Sequence, residues 1–120
     1  DALHFMRLKP VKRRVRVLRG GVVLAETDAA LRLLEIGGDM YDPALYLPAA
    51  ALRGKFSGSD KTTFCPLKGE AHYLSLLDGD GNLIEQDIAW SYPAPLGFAH
   101  QLAGLVSFYS DRVTIEEAPL

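Results

Sequence analysis

Hydrophobic positions recur mostly with a period of two along this chain, which is the spacing of strands that show one face to a core and the other to water. The clearest case is VRVLRGGVVLAE, residues 15–26, where two β-rich runs flank Gly20-Gly21. A two-residue glycine loop suits the positive φ angles of a tight hairpin. A second pair, GEAHYLSLL and LIEQDIAWSY, is joined by DGDGN, a run of turn-forming residues. In its second strand, Ile84, Gln86, Ile88, Trp90 and Tyr92 alternate with Glu85, Asp87, Ala89 and Ser91. That pattern predicts one buried and one wet face.

Shorter runs fill in the rest. ALRLLEIGG reads as a strand stopped at Gly37-Gly38, and ALYLP as a strand ended by Pro48. AAALRG and GFAHQLAG each suit one helical turn, FSGSDK reads as a loop, and LVSFYS and RVTIE close the chain as strands. The expected fold is a single, mainly β domain of seven to nine antiparallel strands. They would form a tent- or barrel-like curved sheet with at most one or two short helical turns. Residues 1–13 are expected to be a partly extended N-terminal segment, and residues 14–117 the β domain.

Composition narrows the function classes. The chain has 120 residues, 48% of them hydrophobic, enough for one compact core. Its formal net charge of −2 gives no global attraction to nucleic acid or an anionic membrane. No apolar run approaches the roughly 20 residues of a membrane span, and no signal-peptide pattern opens the chain. A single cysteine excludes an internal disulfide and a cysteine-rich zinc site, and fits a cytoplasmic location. One asymmetry stands out: seven of the 13 basic residues (Arg7, Lys9, Lys12, Arg13, Arg14, Arg16 and Arg19) fall between positions 7 and 19. Arg14, Val15, Arg16 and Val17 alternate as a half-buried strand does, so the segment reads as the solvent face of a strand plus a basic tail, and nucleic acid is not the expected partner.

Candidate chemistry concentrates in CPLKG, residues 65–69. Proline favours the second position of a β-turn, which would bring Cys65 and Lys68 together. A nearby ammonium favours the thiolate, so Cys65 is a candidate nucleophile and Lys68 its activator or an anion anchor. His72, in the following strand, would share a face with Lys68 on simple alternation and complete a Cys–His arrangement. The same residues equally suit a structural turn around a buried thiol. WSYPAP, residues 90–95, makes a rigid aromatic corner, fit either for a pocket wall or for core.

Other constellations fail on spacing. Asp78, Asp80 and Asn82 have calcium-loop spacing, but Leu83 and Ala89 stand where that loop needs a glycine and a glutamate. The histidines His4, His72 and His100 carry no metal-binding spacing, and a site would have to draw Cys65 and Glu35 from distant parts of the fold. No metal and no cofactor are therefore expected. A nucleotidyltransferase reading would pair Gly58-Ser59 with Asp78 and Asp80, but the interval is too long and Asp78 falls in a hairpin tip.

Five segments occur here in a familiar order: VRVLRGGVVLAET, YLP, TTFCPLKGEAHY, IAWSYPAP and LAGLVSFYSDRV. From about His4 to Val113 the chain resembles the bacterial family known only as domain of unknown function 427. The resemblance implies a small tent- or barrel-like β domain and no established activity, although the family has carried a nucleotidyltransferase-like label. Positions matching its most distinctive elements include Tyr46, Pro48, Thr63, Cys65, Lys68, Gly69, Tyr73, Trp90, Tyr92, Phe108 and Tyr109, with Glu35 and Asp60 where the family tends to carry acids. The chain departs at Ala49 to Leu52, where an acidic segment is usual. It departs again at Phe64, usually histidine, and at Leu67, usually tyrosine.

Two functions follow as expectations. One is a site for a small anionic molecule where CPLKG meets WSYPAP. There Cys65, Lys68 and His72 would carry any chemistry, and Tyr46, Tyr73, Trp90 and Tyr92 would form the walls. The other is a non-enzymatic interaction module, for instance a homodimer, in which the same residues are structural. The residues do not decide whether the chain is an enzyme.

Overall fold

The computed structural model describes residues 5–37 and 41–120. Among the described residues ten strands run in chain order: β1 (Phe5–Pro10), β2 (Arg14–Arg19), β3 (Val22–Thr27), β4 (Leu31–Ile36), β5 (Ala44–Pro48), β6 (Lys55–Cys65), β7 (Gly69–Leu77), β8 (Leu83–Ser91), β9 (Leu105–Phe108) and β10 (Thr114–Ala118). Two short 3-10 turns, Ala49–Ala51 and Gly97–Leu102, are the only helical elements among the described residues. The strands form a seven-stranded sheet in the order β1-β4-β5-β9-β8-β7-β6 and a three-stranded sheet in the order β10-β2-β3. Every described pairing is antiparallel and neither sheet closes into a barrel. The mainly β, single-domain expectation therefore holds, in its open, curved form.

The strand count exceeds the seven to nine expected, for an identifiable reason. FSGSDK is not a loop but lies within β6, which among the described residues is an edge strand paired only with β7. Most of β6 is solvent-exposed, so it lacks the alternation that marks a half-buried strand. Its pairing shifts register between Gly58 and Thr62, which explains the glycine and serines there. β1 lies within the segment set apart as N-terminal and pairs with β4 over its whole length.

Two turns form as their residues dictate. Gly20 and Gly21 both take positive φ, +56° and +79°, in the β2–β3 hairpin. In the β7–β8 turn, Asp78 Oδ1 accepts from the backbone N–H groups of Asp80 and Asn82, both at 2.9 Å. These bonds hold the Asp78 carboxyl below its usual range, and they make the DGDGN acids turn residues. The regular alternation read for β8 stops at Asp87, which has φ +53° beside register shifts in the β7–β8 ladder. Ile84 is consequently exposed, whereas Ile88 and Ala89 are both fully buried.

The core divides in two. Val15, Val17, Leu24, Ala25, Leu47, Leu76, Ile88, Val106 and Phe108 form an aliphatic-rich cluster that joins the small sheet to the large one. Leu33, Tyr46, Ala71, Tyr73, Tyr92, Ala99, Leu102 and Leu105 form a second, rich in tyrosine. Adjacent residues of one strand go to different clusters, as with Tyr46 and Leu47 of β5 or Leu105 and Val106 of β9. Successive side chains point to opposite faces, so the two clusters occupy opposite faces of the large sheet there.

The basic segment is matched by acids. Arg14 pairs with Asp28 at 2.7 Å, Arg16 with Glu26 at 3.4 Å, Arg19 with Glu85 at 3.2 Å and Arg13 with Glu117 at 3.7 Å. Among the described residues no helix is long and apolar enough to cross a membrane.

Candidate functional site

The CPLKG segment forms the expected turn, with the Lys68 N–H donating to the Cys65 carbonyl at 3.2 Å. The chain leaves it through Gly69, at φ +110°, a region that residues with a side chain rarely enter. A Cβ at Gly69 would also stand 3.3 Å from the Ala94 carbonyl oxygen. This close approach, with the Leu96 N–H donating to the Lys68 carbonyl at 2.9 Å, locks the turn onto the Pro-rich corner after Tyr92. The two sequence motifs thus meet in space.

Beneath their junction lies a cavity of about 180 Å3, lined by Leu33, Glu35, Asp42, Ala44, Tyr46, Lys68, Tyr73, Trp90, Tyr92 and Tyr109. β4 contributes Glu35 and β5 Tyr46, β7 and β8 contribute the cross-strand neighbours Tyr73 and Trp90, and Tyr109 follows β9. At its centre Lys68 Nζ donates to Glu35 Oε1 at 2.7 Å. The side chains are only 13% and 10% exposed, so the pair is largely withdrawn from water. An ammonium has three N–H donors, and this bond uses one.

The aromatic walls are polar at their tips. Trp90 Nε1–H donates to Tyr46 Oη at 3.2 Å, and the two rings meet edge-on with centroids 6.3 Å apart. On its other flank Trp90 packs against Tyr109 at 4.7 Å. The hydroxyls of Tyr73 and Thr63 share a hydrogen bond of 2.8 Å, and Lys61 Nζ sits 4.5 Å above the Tyr73 ring. Arg112 lies 5.0 Å from the Tyr109 ring centroid. Burial pushes the Tyr46 phenol up to about 12. Burial likewise raises Tyr92, and burial together with the neighbouring Tyr73 raises Tyr109. At neutral pH these three are hydroxyls, able both to donate and to accept.

The structure brings together five of the seven residues singled out from sequence: Lys68, Tyr46, Tyr73, Trp90 and Tyr92 all line the cavity. It does not bring in the other two. Cys65 is half-buried, packs against the tyrosine-rich core and does not line the cavity. His72 is exposed on the opposite face of β7, its Nε2 2.7 Å from Glu70 Oε1. Among the described residues no three His, Cys, Asp or Glu side chains converge on a point that could hold a metal, and His4 lies outside the described residues. Glu35, Asp42 and Tyr109 join the site beyond the seven. The family resemblance had marked Glu35 and Tyr109. Asp42 carries no sequence signal, because it reaches the cavity from the segment before β5.

The family profile described as a domain of unknown function, DUF427, matches residues 7–118, and the chain belongs to that family. No curated protein matches it in sequence.

Proposed function

We propose that this domain of unknown function 427 member binds a small planar molecule carrying a carboxylate, held in the Lys68 cavity. One observation supports the reading most: a nearly buried ammonium lines the cavity with donors to spare, among aromatic faces and protonated phenols. A buried charge is costly unless it is paired, and Glu35 meets that need, leaving the remaining N–H groups of Lys68 for a ligand oxygen. Trp90 and Tyr109 offer surface for a flat ring, and tyrosine hydroxyls can orient its substituents. A volume of about 180 Å3 falls below the roughly 300 Å3 at which drug-sized sites begin, so the occupant is of fragment size.

Trp90 is the sole tryptophan, so its fluorescence reports directly on this cavity. Titration with benzoate should change that emission saturably, and benzamide should do so more weakly. Lys68→Met should weaken benzoate by at least about tenfold, the worth of one charged hydrogen bond. An emission that ignores benzoate, or equal binding to Lys68→Met, would contradict the reading.

A further inference from the structure

The Lys68 cavity has a larger neighbour. A groove of about 430 Å3 shares Asp42, Ala44, Trp90 and Tyr109 with it, and extends past Leu45, Ser107, Ser110 and Asp111 toward Glu117 and Arg32. The charges along the groove are unevenly satisfied. Glu117 receives Arg32 at 3.1 Å and Arg13 at 3.7 Å. Asp42 and Asp111 have no hydrogen bond or ion pair among the described residues, and both are exposed. Two unneutralised carboxylates therefore flank a groove whose wall includes the Trp90 and Tyr109 rings. The Arg112 guanidinium against Tyr109, itself tied to Glu85 at 3.7 Å and to the Gln86 and Asp87 carbonyls, shows a cation already seated on one of these rings. Carboxylates beside aromatic faces recognise an ammonium group, by ion pairing and by attraction to the ring quadrupole.

We infer that the ligand is zwitterionic: its carboxylate meets Lys68 inside the cavity, and an ammonium arm extends into the groove between Trp90 and the carboxylates of Asp42 and Asp111. This rests on the cavity reading above and adds a second recognition element to it. The class is a planar carboxylic acid with an aliphatic amine at its far end. The ammonium keeps much of its hydration, because both carboxylates lie at the exposed rim, so the gain is moderate and falls with salt.

Trp90 emission should be titrated with 4-methylbenzoate, 4-(aminomethyl)benzoate and 4-(3-aminopropyl)benzoate, on wild type and on Asp42→Asn/Asp111→Asn. At least one amine should bind about tenfold tighter than the methyl compound. In the double variant the amines should lose that advantage and bind no tighter than 4-methylbenzoate binds to the same variant. If both amines bind no tighter than 4-methylbenzoate, or if the advantage survives in the double variant, the ammonium subsite is overturned and the cavity reading stands. If none of the three binds, the cavity reading falls and this inference falls with it.

Discussion

The two faces of the large sheet carry different kinds of core. On one, Val15, Val17, Leu47 and Ile88 are at most 1% exposed and bring no polar side-chain atoms. On the other, Tyr46, Tyr73 and Tyr92 bring hydroxyls into the interior, and the Lys68–Glu35 pair sits beside them. The same strands feed both, one residue apart. The first face removes apolar area from water at about 25 cal/mol per Å2. The second accepts the desolvation of polar groups and leaves a cavity, arrangements that cost stability unless something occupies them. The proposed ligand cavity thus lies against the tyrosine-rich cluster, on the face opposite the aliphatic one.

That division can be broken at several points. The largest effect is expected in the aliphatic core. Ile88→Ala should lower the unfolding free energy by about 2–5 kcal/mol, read from urea denaturation, with little change in benzoate affinity where the protein remains folded. On the polar face, Glu35→Ala strands the Lys68 ammonium, and a loss of about 3 kcal/mol is expected in the same measurement. Gly69→Ala forces a side chain into φ +110° and against the Ala94 carbonyl. A loss of about 1–3 kcal/mol should follow, together with weaker benzoate binding as the turn shifts.

The smallest effect is that of Tyr46→Phe, which removes the acceptor for Trp90 N–H. About 1 kcal/mol is expected, with a shift in Trp90 emission. This residue also gives a pH signature. The folded-state value of about 12 lies above the ordinary 10, so the folded protein holds the phenolic proton more tightly than the unfolded chain does. Its contribution is complete below pH 10 and is lost as pH rises from there to about 12. Tyr92, shifted in the same direction, adds to the decline. Urea midpoints measured between pH 9 and 11 should fall in wild type and fall less steeply in Tyr46→Phe.

Where a strand was half-buried, the sequence announced it, as in the β2–β3 and β7–β8 hairpins. Where a strand was an edge with both faces wet, as in β6, the periodicity that would reveal it was absent. The cavity walls were legible because WSYPAP and CPLKG are dense in aromatic and turn residues. His72 was misplaced for a local reason. Counting by twos back from His72 assumes a strand through residue 68, but β7 begins at Gly69, whose positive φ turns Lys68 inward while Glu70 and His72 stay outside. Glu35 could not be joined to Lys68 from periodicity at all, since 33 residues separate them and only the sheet order brings them together.

The central claim is that the Lys68–Glu35 pair is kept for binding and not for stability. The most direct test is the double variant Glu35→Gln/Lys68→Met, measured by urea denaturation and by benzoate titration of Trp90 emission. Removing both charges together avoids leaving either one stranded. The account predicts a protein at least as stable as wild type that no longer binds benzoate. A double variant that is less stable than wild type by more than about 2 kcal/mol, or that still binds benzoate as wild type does, would contradict it.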